Sequence, residues 1–385
     1  MRRVAALLLL LPLLTGCWGR LELADLALVI ALGVDLADNG LYEFTFGIAG
    51  PPVSHMKNAP QGDAGIPSRI VVTQRGRSFA GVLREIELRL PRRINLTHTL
   101  VVFIGERLAE HGLGDALDFV LRAPEFRLQG LIVMVRGGPV RTLLETEPLM
   151  ENLQTKALTE IAKAHIGLEV RLWELFSARA TTYRAPLLPV IELMESPDTG
   201  AKGQRYAARL GGAAVLRGDR GALYLDAREV RAIKWLRGRG RDGVITVPCG
   251  DEPGPESVSF RVVQAGHRVR LHRGGKPAFA VALRGRLRVT EMQCPRPLVE
   301  PQVHEQLVQR AEAELRDLME QVIAKLQEAG VDPVFFGEHV RALRPGLWRT
   351  VGEERWGETW REVPVTVSVD LRLHTTGLMR NPLRS

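Results

Sequence analysis

Residues 301–330 run PQVHEQLVQRAEAELRDLMEQVIAKLQEAG and carry the strongest helix pattern of the chain. Pro301 suits the first turn of a helix, and Gly330 is typical of the position just after a helix end. Between them apolar residues recur every three or four positions, and Glu, Arg, Gln and Lys fill the opposite face. The apolar positions are Val303, Leu307, Ala311, Leu315, Leu318, Val322 and Leu326. The pattern predicts a long amphipathic helix packed on a sheet.

The sheet partner of this helix is predicted near the end of the chain. Residues 363–373, VPVTVSVDLRL, place Val or Leu at every second position and polar residues between most of them. Such alternation is typical of a strand with one buried face. A strand of about eleven residues spans about 36 Å, long enough to support the helix. The two elements predict a C-terminal α/β domain over residues 298–385.

Strands and helices also alternate in the first part of the chain. Leu26–Val34 and Leu41–Ala49 flank the turn Asp38-Asn39-Gly40 and predict a hairpin. Further strands and helices follow, which predicts a sheet with helices on at least one face. Pro186 and Pro189 are expected to end a helical region, and residues 196–203 to form a linker. The fold class is therefore α/β (α+β).

A region rich in strands separates these two parts. Residues 204–297 contain several short strand patterns, and the last, Ala278–Val289, places Arg284, Arg286 and Arg288 opposite its apolar face. About 370 residues follow the N-terminal leader, more than the roughly 250–300 that one core accommodates. Three domains of mixed sheet and helices are expected, at 17–200, 201–297 and 298–385.

The N-terminus has the parts of an export signal. Arg2 and Arg3 precede an apolar run over residues 4–14, which ends in Leu14-Thr15-Gly16-Cys17. As a helix the run measures about 16 Å, too short for the roughly 30 Å core of a bilayer. The ending resembles a bacterial lipobox, which predicts a signal peptide over residues 1–16 and a lipid on Cys17. The alternative is an ordinary signal peptide followed by a chance cysteine.

Composition limits the partners. The net charge of +8 can add attraction to an anionic membrane, and two acyl chains on one cysteine would supply stable attachment. An exported lipoprotein rarely meets nucleic acid, so we set that partner aside. Cys249 and Cys294 remain after Cys17. Each follows a predicted strand, so they form either a disulfide or two separate buried thiols.

A search for catalytic chemistry finds none of the common motifs: no phosphate-binding loop, nucleophile elbow, H-E-x-x-H or paired C-x-x-C. The sequence therefore predicts no enzyme, no metal site and no cofactor. His98 inside a predicted strand, and His304 and His339 on helices, are interpreted as structural. Asp25 and Asp35 flank a strand and are expected to cap turns. The densest basic run could contact lipid head groups or form a solvated turn: Arg231, Lys234, Arg237, Arg239 and Arg241.

The residues after the lipobox carry a family resemblance. Residues 17–27 run CWGRLELADLA, which is similar to the G-C-W-D-x-x-E-L-x-D-L-A start of the spore-germination lipoproteins, the C subunits of nutrient germinant receptors (the Ger(x)C family). Gly19 departs from the usual Asp, whereas Glu22 and Asp25 match. Later blocks agree in order along essentially the whole chain: Ala31–Asp35, His98, Gly105-Glu106, Gly212–Val215, Trp235-Leu236, Asp332-Pro333, Phe336-Gly337, Trp348, Trp356 and Val365–Val369.

This resemblance implies a three-domain α/β lipoprotein on the outer face of the inner spore membrane. It implies two integral-membrane partners, the A and B subunits, and a non-enzymatic role in the response to small nutrients. Partner contacts are expected either at Trp348, Trp356 and Trp360 or at the loop Gly50–Pro67; the alternative for the tryptophans is a place in the core. The competing function is a solute-binding lipoprotein of a transporter, which would need two similar lobes around a cleft. An exported hydrolase, the third class, would need a nucleophile and a base that no motif supplies.

Overall fold

The computed structural model describes residue 22 and residues 25–50, 69–146, 168–195, 206–240, 243–250, 256–295 and 300–375. Its strands are β1 Leu26–Leu36, β2 Tyr42–Ala49, β3 Arg69–Gly76, β4 Arg93–Asn95, β5 Val101–Gly105, β6 Leu131–Arg136, β7 Leu187–Glu195, β8 Tyr206–Arg217, β9 Arg220–Asp226, β10 Val244–Pro248, β11 Ser257–Leu271, β12 Phe279–Met292 and β13 Val365–Thr375. Its helices are α1 Phe79–Glu87, α2 Glu106–His111, α3 Gly114–Arg122, α4 Val140–Glu145, α5 Leu172–Arg179, α6 Ala227–Leu236, α7 Pro301–Ala329, α8 Phe336–Leu343, α9 Pro345–Val351 and α10 Trp356–Trp360.

The first sheet has nine strands in the order β3-β2-β1-β5-β6-β7-β8-β9, with β4 beside the start of β1. Strands β1, β5, β6 and β7 run parallel, and antiparallel pairs flank them on both sides. The predicted hairpin is present: β1 pairs with β2, and Gly40 takes the positive φ of 75° that the turn requires. The carboxyl ends of the four parallel strands therefore meet at one edge of the sheet.

The central strands are buried on both faces, as expected of parallel strands between helical layers. In β5, Val102 and Ile104 join a large core, whereas Val101 and Phe103 join a smaller core on the opposite face. The smaller core packs under α4. This explains why these strands are continuous apolar runs rather than alternating ones.

The second sheet has the order β10-β11-β12-β13, with β13 parallel to β12 and the other pairs antiparallel. Helix α7 packs against β13 and β10, as its apolar stripe predicts. Burial of Leu307, Leu315 and Leu326 on α7 confirms the predicted face. The large core runs without a break from the first sheet through α6 and α7 to the second sheet. The mixed α/β fold class is confirmed.

The two sheets divide the chain differently from the predicted domains. β8 and β9 lie in the region assigned to a middle domain, 201–297, yet they complete the first sheet by pairing on β7. β13 lies in the predicted third domain, 298–385, yet it pairs with β12 of the middle region over almost its full length. The reason is long-range strand pairing, which local periodicity does not specify.

Pro186 and Pro189 also differ from expectation. Pro189 lies inside β7, opposite Ala213 of β8, rather than at the end of a helical region. Proline lacks the backbone donor, but its fixed φ is compatible with an extended chain. The predicted linker 196–203 lies outside the described residues.

Candidate functional site

Two of the predicted functional regions lie outside the described residues. Cys17, the predicted lipid attachment site, is one, and the loop Gly50–Pro67 apart from Gly50 is the other. Their roles stay predictions. In the part of the chain that the structure describes, no helix is both long enough and apolar enough to cross a bilayer.

Cys249 and Cys294 are bonded in the structure, with their Cα atoms 5.4 Å apart. Cys249 follows the last residue of β10, and Cys294 follows β12 by two positions. Both strands pair with β11, which lies between them. The bond ties the two neighbours of β11 together at one end of the second sheet. The oxidation state of the pair in the cell stays a prediction.

The three tryptophans proposed as a contact surface are mostly interior. Trp356 and Trp360 are 1% and 0% exposed, and Trp348 packs against the same core. Their rings form a row in which Trp356 lies 5.7 Å from Trp348 and 6.2 Å from Trp360. The surface hypothesis is therefore wrong for Trp356 and Trp360, because short helices bring their apolar rings under α7 and α8 rather than into solvent.

A buried carboxylate, Asp332, organises this region. Its side chain accepts hydrogen bonds from the backbone N–H of Phe335 and of Gly337, each at 2.8 Å. The indole N–H of Trp356 donates a third bond at 3.0 Å. Burial raises the pKa of Asp332, although these N–H donors act in the opposite direction. We call this group the Asp332 junction.

The loop at the Asp332 junction is held in an unusual conformation. Phe335 has a φ of 71°, the left-handed region that a bulky residue rarely adopts. The bond from its N–H to Asp332 fixes that turn. The ring of Phe335 then lies 4.6 Å from the guanidinium of Arg237 and 5.5 Å from that of Arg184. One cation from the first half of the chain, Arg184, and one from the second half, Arg237, therefore contact the same aromatic ring.

Arg237 belongs to the predicted basic run, and its place differs from expectation. Its Nε donates to the carbonyl of Pro333 at 2.7 Å. Burial lowers the pKa of Arg237 to about 10, which still leaves it charged at neutral pH. Arg237 is thus an internal contact rather than a lipid ligand or a solvated turn. Arg241 of the same run lies outside the described residues.

Glu338 supplies a second contact between the two halves of the chain. Its Oε2 accepts from Tyr183 Oη at 2.8 Å and from Arg184 Nε at 3.0 Å. Desolvation would raise the pKa of Glu338, but hydrogen bonds from Arg341, Arg184 and Tyr183 outweigh it and lower the pKa to about 2. The segment that leads into β7 is therefore tied to α8, and so to the second sheet.

The carboxyl edge of the parallel strands carries another acid with a raised pKa, the half-buried Asp35. Its Oδ2 accepts a hydrogen bond from the backbone N–H of Val140, at the start of α4, at 3.0 Å. Gly105 at the end of β5 lies so close that a Cβ there would be 1.8 Å from Asp35 Oδ1. Asp35 therefore caps a helix of the neighbouring layer rather than a turn of its own strand. Desolvation raises its pKa to about 6.

This pKa predicts a measurable pH dependence of stability. The pKa of Asp35 is about 6 in the folded protein, against an ordinary value of 3.8. Because the folded protein holds this proton more tightly than the unfolded chain, ionisation of Asp35 as the pH rises opposes folding. Stability is therefore expected to fall between about pH 4 and pH 7, by up to about 3 kcal/mol from this group. Asp35→Asn keeps an acceptor for Val140 but removes the titration. Urea unfolding should find the variant more stable than wild type at pH 7 and equal to it at pH 4. An equal difference at both pH values would contradict the assignment.

Further charged groups at this edge neutralise one another. Arg136 Nε lies 2.8 Å from Glu106 Oε1, and its guanidinium lies 4.5 Å from the ring centre of Tyr224. Glu192 contacts Arg209 at 2.8 Å and accepts from Tyr224 Oη at 2.9 Å. Desolvation would raise the pKa of Glu192, but these hydrogen bonds outweigh it and lower the pKa. Open α/β sheets commonly bind ligands at this edge; here the charges are mutually paired.

The histidines do not converge. His98 is exposed in a turn after β4 rather than inside a strand, and its Nδ1 lies 3.0 Å from the hydroxyl of Thr97. His304 and His339 lie on α7 and α8, as predicted. The described residues contain no cluster of three His, Cys, Asp or Glu side chains that could hold a metal ion.

The structural roles of two acids, Asp332 and Asp35, differ from what the local sequence indicates. Local pattern gives Asp332 no role, although a lone acid among the apolar residues of VDPVFFG (331–337) needs hydrogen-bond donors when it is buried. Asp35 was expected at a turn. The helix that it caps begins 105 positions later in the chain, and local pattern cannot identify such a partner.

Comparison with known protein families matches both halves of the chain. A family described as "Spore germination protein N-terminal domain" matches residues 19–193. A second, described as "Spore germination B3/ GerAC like, C-terminal", matches residues 211–377. The matches follow each other in order and leave only short segments outside them.

Full-length relatives agree. Spore germination protein KC of Bacillus subtilis is 24% identical, over 98% of this chain and 96% of that protein. Spore germination protein B3 of the same organism is 22% identical, over 97% of this chain and 98% of that protein. The crystal structure of the GerBC protein superposes with a TM-score of 0.55 at 18% identity, covering 89% of this chain and 96% of that one. The last comparison shows a shared fold.

Proposed function

Because the chain belongs to the Ger(x)C family of spore germination proteins, we propose that it is a non-enzymatic lipoprotein subunit of a nutrient germinant receptor. In this role it is anchored through a lipid on Cys17 at the outer face of the inner spore membrane. Its partners are two integral-membrane subunits, A and B, and together they respond to small nutrients.

The observation that carries the proposal is the tandem arrangement of the two family domains. Residues 19–193 and 211–377 match the N-terminal and C-terminal domains in order, and the first match begins two residues after Cys17. A lipid-linked Cys17 would therefore sit directly before the first domain. The basic start, the short apolar run and Leu-Thr-Gly-Cys support that anchor.

The alternative, a solute-binding lipoprotein, is less well supported. That class would need two similar lobes around a cleft. Here a nine-stranded sheet and a four-stranded sheet of different topology share one continuous core. Contacts of Arg184 with Phe335 and Glu338, and of Tyr183 with Glu338, further tie the two halves together.

Co-purification tests the proposal. The chain would be expressed with the membrane proteins encoded beside it and purified from detergent extracts, as wild type and as Cys17→Ala. We expect a stable complex with A and B subunits for wild type and a weakened complex for Cys17→Ala, which loses the lipid site. Thr15→Ser is the matched control, because it keeps a small residue before the cysteine and should behave as wild type.

The result also separates anchoring from assembly. Wild type that sediments with membranes through Cys17, yet copurifies with no A or B subunit, would preserve the lipoprotein and contradict the receptor role. Equal membrane attachment of wild type and Cys17→Ala would contradict the anchor.

A further inference from the structure

One face of the second sheet is open. Side chains that alternate along β11 and β12 point to opposite faces, and Phe260, Val262, Val281 and Leu283 face the core. On the other face, no helix or strand among the described residues covers the sheet, and the Arg284 and Arg372 side chains are each 82% exposed. β11 alone, with fifteen residues, extends this face over about 50 Å.

Arginine dominates the open face. The register places Arg261 opposite Arg288, and Arg286 beside Arg372. Gly266 lies opposite Arg284, and two further arginines of β11, Arg268 and Arg270, lie opposite alanines of β12. The pairing thus gathers seven guanidinium groups from three strands, whereas alternation in the sequence predicts only the three of β12.

Few carboxylates balance this charge. Asp370 lies 3.6 Å from both Arg284 and Arg372 and is shared between them. Glu291 lies on the same face near one end, opposite Ser259. Among the described residues, the five other arginines have no ion-pair partner. Like charges across neighbouring strands disfavour the sheet, so this arrangement points to an anionic partner that the face contacts.

The shape of the face also fits a set of anionic groups. Gly266, Ala280, Ala282 and Ser368 form the floor of a depression of about 400 Å³, and arginines form its rim. A second depression of about 330 Å³ follows beside Gly285 and Arg372. Guanidinium groups bind phosphate oxygens through two parallel hydrogen bonds. Several phosphate-sized groups in one plane would satisfy the face better than a single small ligand.

We propose that the open arginine face of the second sheet binds an anionic phospholipid surface. Several basic residues next to such a surface act together, and each strengthens binding severalfold at moderate salt. The choice of lipid over an acidic protein rests on the membrane anchoring proposed above, since Cys17 lies nine residues before β1. In this arrangement the lipid anchor holds the protein and the arginine face orients it.

Vesicle co-sedimentation tests this surface without the anchor. The chain from residue 17 onward would carry Cys17→Ser, so that no acyl chain contributes. Vesicles of phosphatidylcholine alone would be compared with vesicles containing 30% phosphatidylglycerol, at low and high salt. We expect binding only to the anionic vesicles, with loss at high salt.

Two variants of equal charge locate the site. The face variant combines Arg268→Gln, Arg270→Gln, Arg284→Gln and Arg286→Gln. The control variant combines Arg84→Gln, Arg92→Gln, Arg93→Gln and Arg127→Gln, four exposed arginines of the first half. We expect affinity for anionic vesicles to fall at least tenfold in the face variant and less than threefold in the control, with unchanged circular dichroism in both.

Other outcomes would overturn the proposal. Equal loss in both variants would show an effect of net charge rather than of this face. Failure of the Cys17→Ser chain to bind anionic vesicles, together with salt-sensitive binding of polyglutamate, would assign the face to an acidic protein. Neither outcome would bear on the receptor role, which co-purification with the A and B subunits tests separately.

Discussion

Replacing Asp332 by alanine is expected to lower the free energy of unfolding by about 3–5 kcal/mol, the largest effect predicted for a single side chain of this protein. Asp332 is 2% exposed. Its carboxylate accepts hydrogen bonds from the backbone N–H groups of Phe335 and Gly337 and from the indole N–H of Trp356. Its removal leaves three buried N–H donors without partners. It also frees Phe335 from the left-handed turn that places its ring between Arg184 and Arg237.

Two further variants make this prediction specific. Asp332→Asn keeps one oxygen acceptor and should cost less than alanine. Asp317→Ala removes an exposed carboxylate of α7 whose partner, Arg316, is also solvent-exposed, and it should change stability by less than about 0.5 kcal/mol. Urea unfolding monitored by tryptophan fluorescence measures all three. Equal stability of Asp332→Ala and Asp317→Ala would contradict the role of the junction.

Loss of the bond between Cys249 and Cys294 is expected to cost about 2–4 kcal/mol. The two residues are 45 positions apart in sequence, so the bond restricts a long loop of the unfolded chain. It also joins β10 to β12 across β11. The double variant Cys249→Ser, Cys294→Ser should therefore unfold at lower urea than its parent.

A reductant provides the control for this prediction. In a Cys17→Ser background, dithiothreitol should lower the stability of the parent to that of the double variant and leave the double variant unchanged. Thiol titration of the unreduced, unfolded parent should detect no free thiol. Two free thiols and no response to dithiothreitol would contradict an oxidised pair.

Several elements were predictable because their determinants are local. The 3.6-residue spacing of Leu307, Leu315 and Leu326 specifies the buried face of α7. Turn chemistry at Asn39-Gly40 specifies the β1–β2 hairpin. The alternation of Val367 and Leu371 with polar residues specifies the buried side of β13.

Other features depend on contacts distant in sequence. Nothing in the segment Tyr206–Asp226 indicates that its strands pair with β7 rather than with the β-rich region that follows. Trp356 and Trp360 are apolar enough to lie either in the core or at an interface. Only the packing of α8 and α10 places them in the core. Arg237 lies in a run of basic residues that is typical of a surface. Its side chain nevertheless donates a hydrogen bond to the carbonyl of Pro333, 96 positions later in the chain.

The arginine face shows the same limit. Alternation in residues 278–289 predicts arginines opposite an apolar face, but not that β11 and β13 add four more beside them. Only strand register brings the seven together. A charged surface built from three strands therefore requires the fold before it can be recognised.

Nutrient-triggered germination is the most direct test of the receptor role. Spores of the source organism that lack this chain would be exposed to amino acids, sugars and nucleosides, and germination followed as loss of optical density. We predict that the response to at least one nutrient class is lost, returns with the wild-type chain and returns much less with Cys17→Ala. Germination that is unchanged for every nutrient, with loss of uptake of a solute in growing cells, would contradict the receptor role and favour the solute-binding alternative.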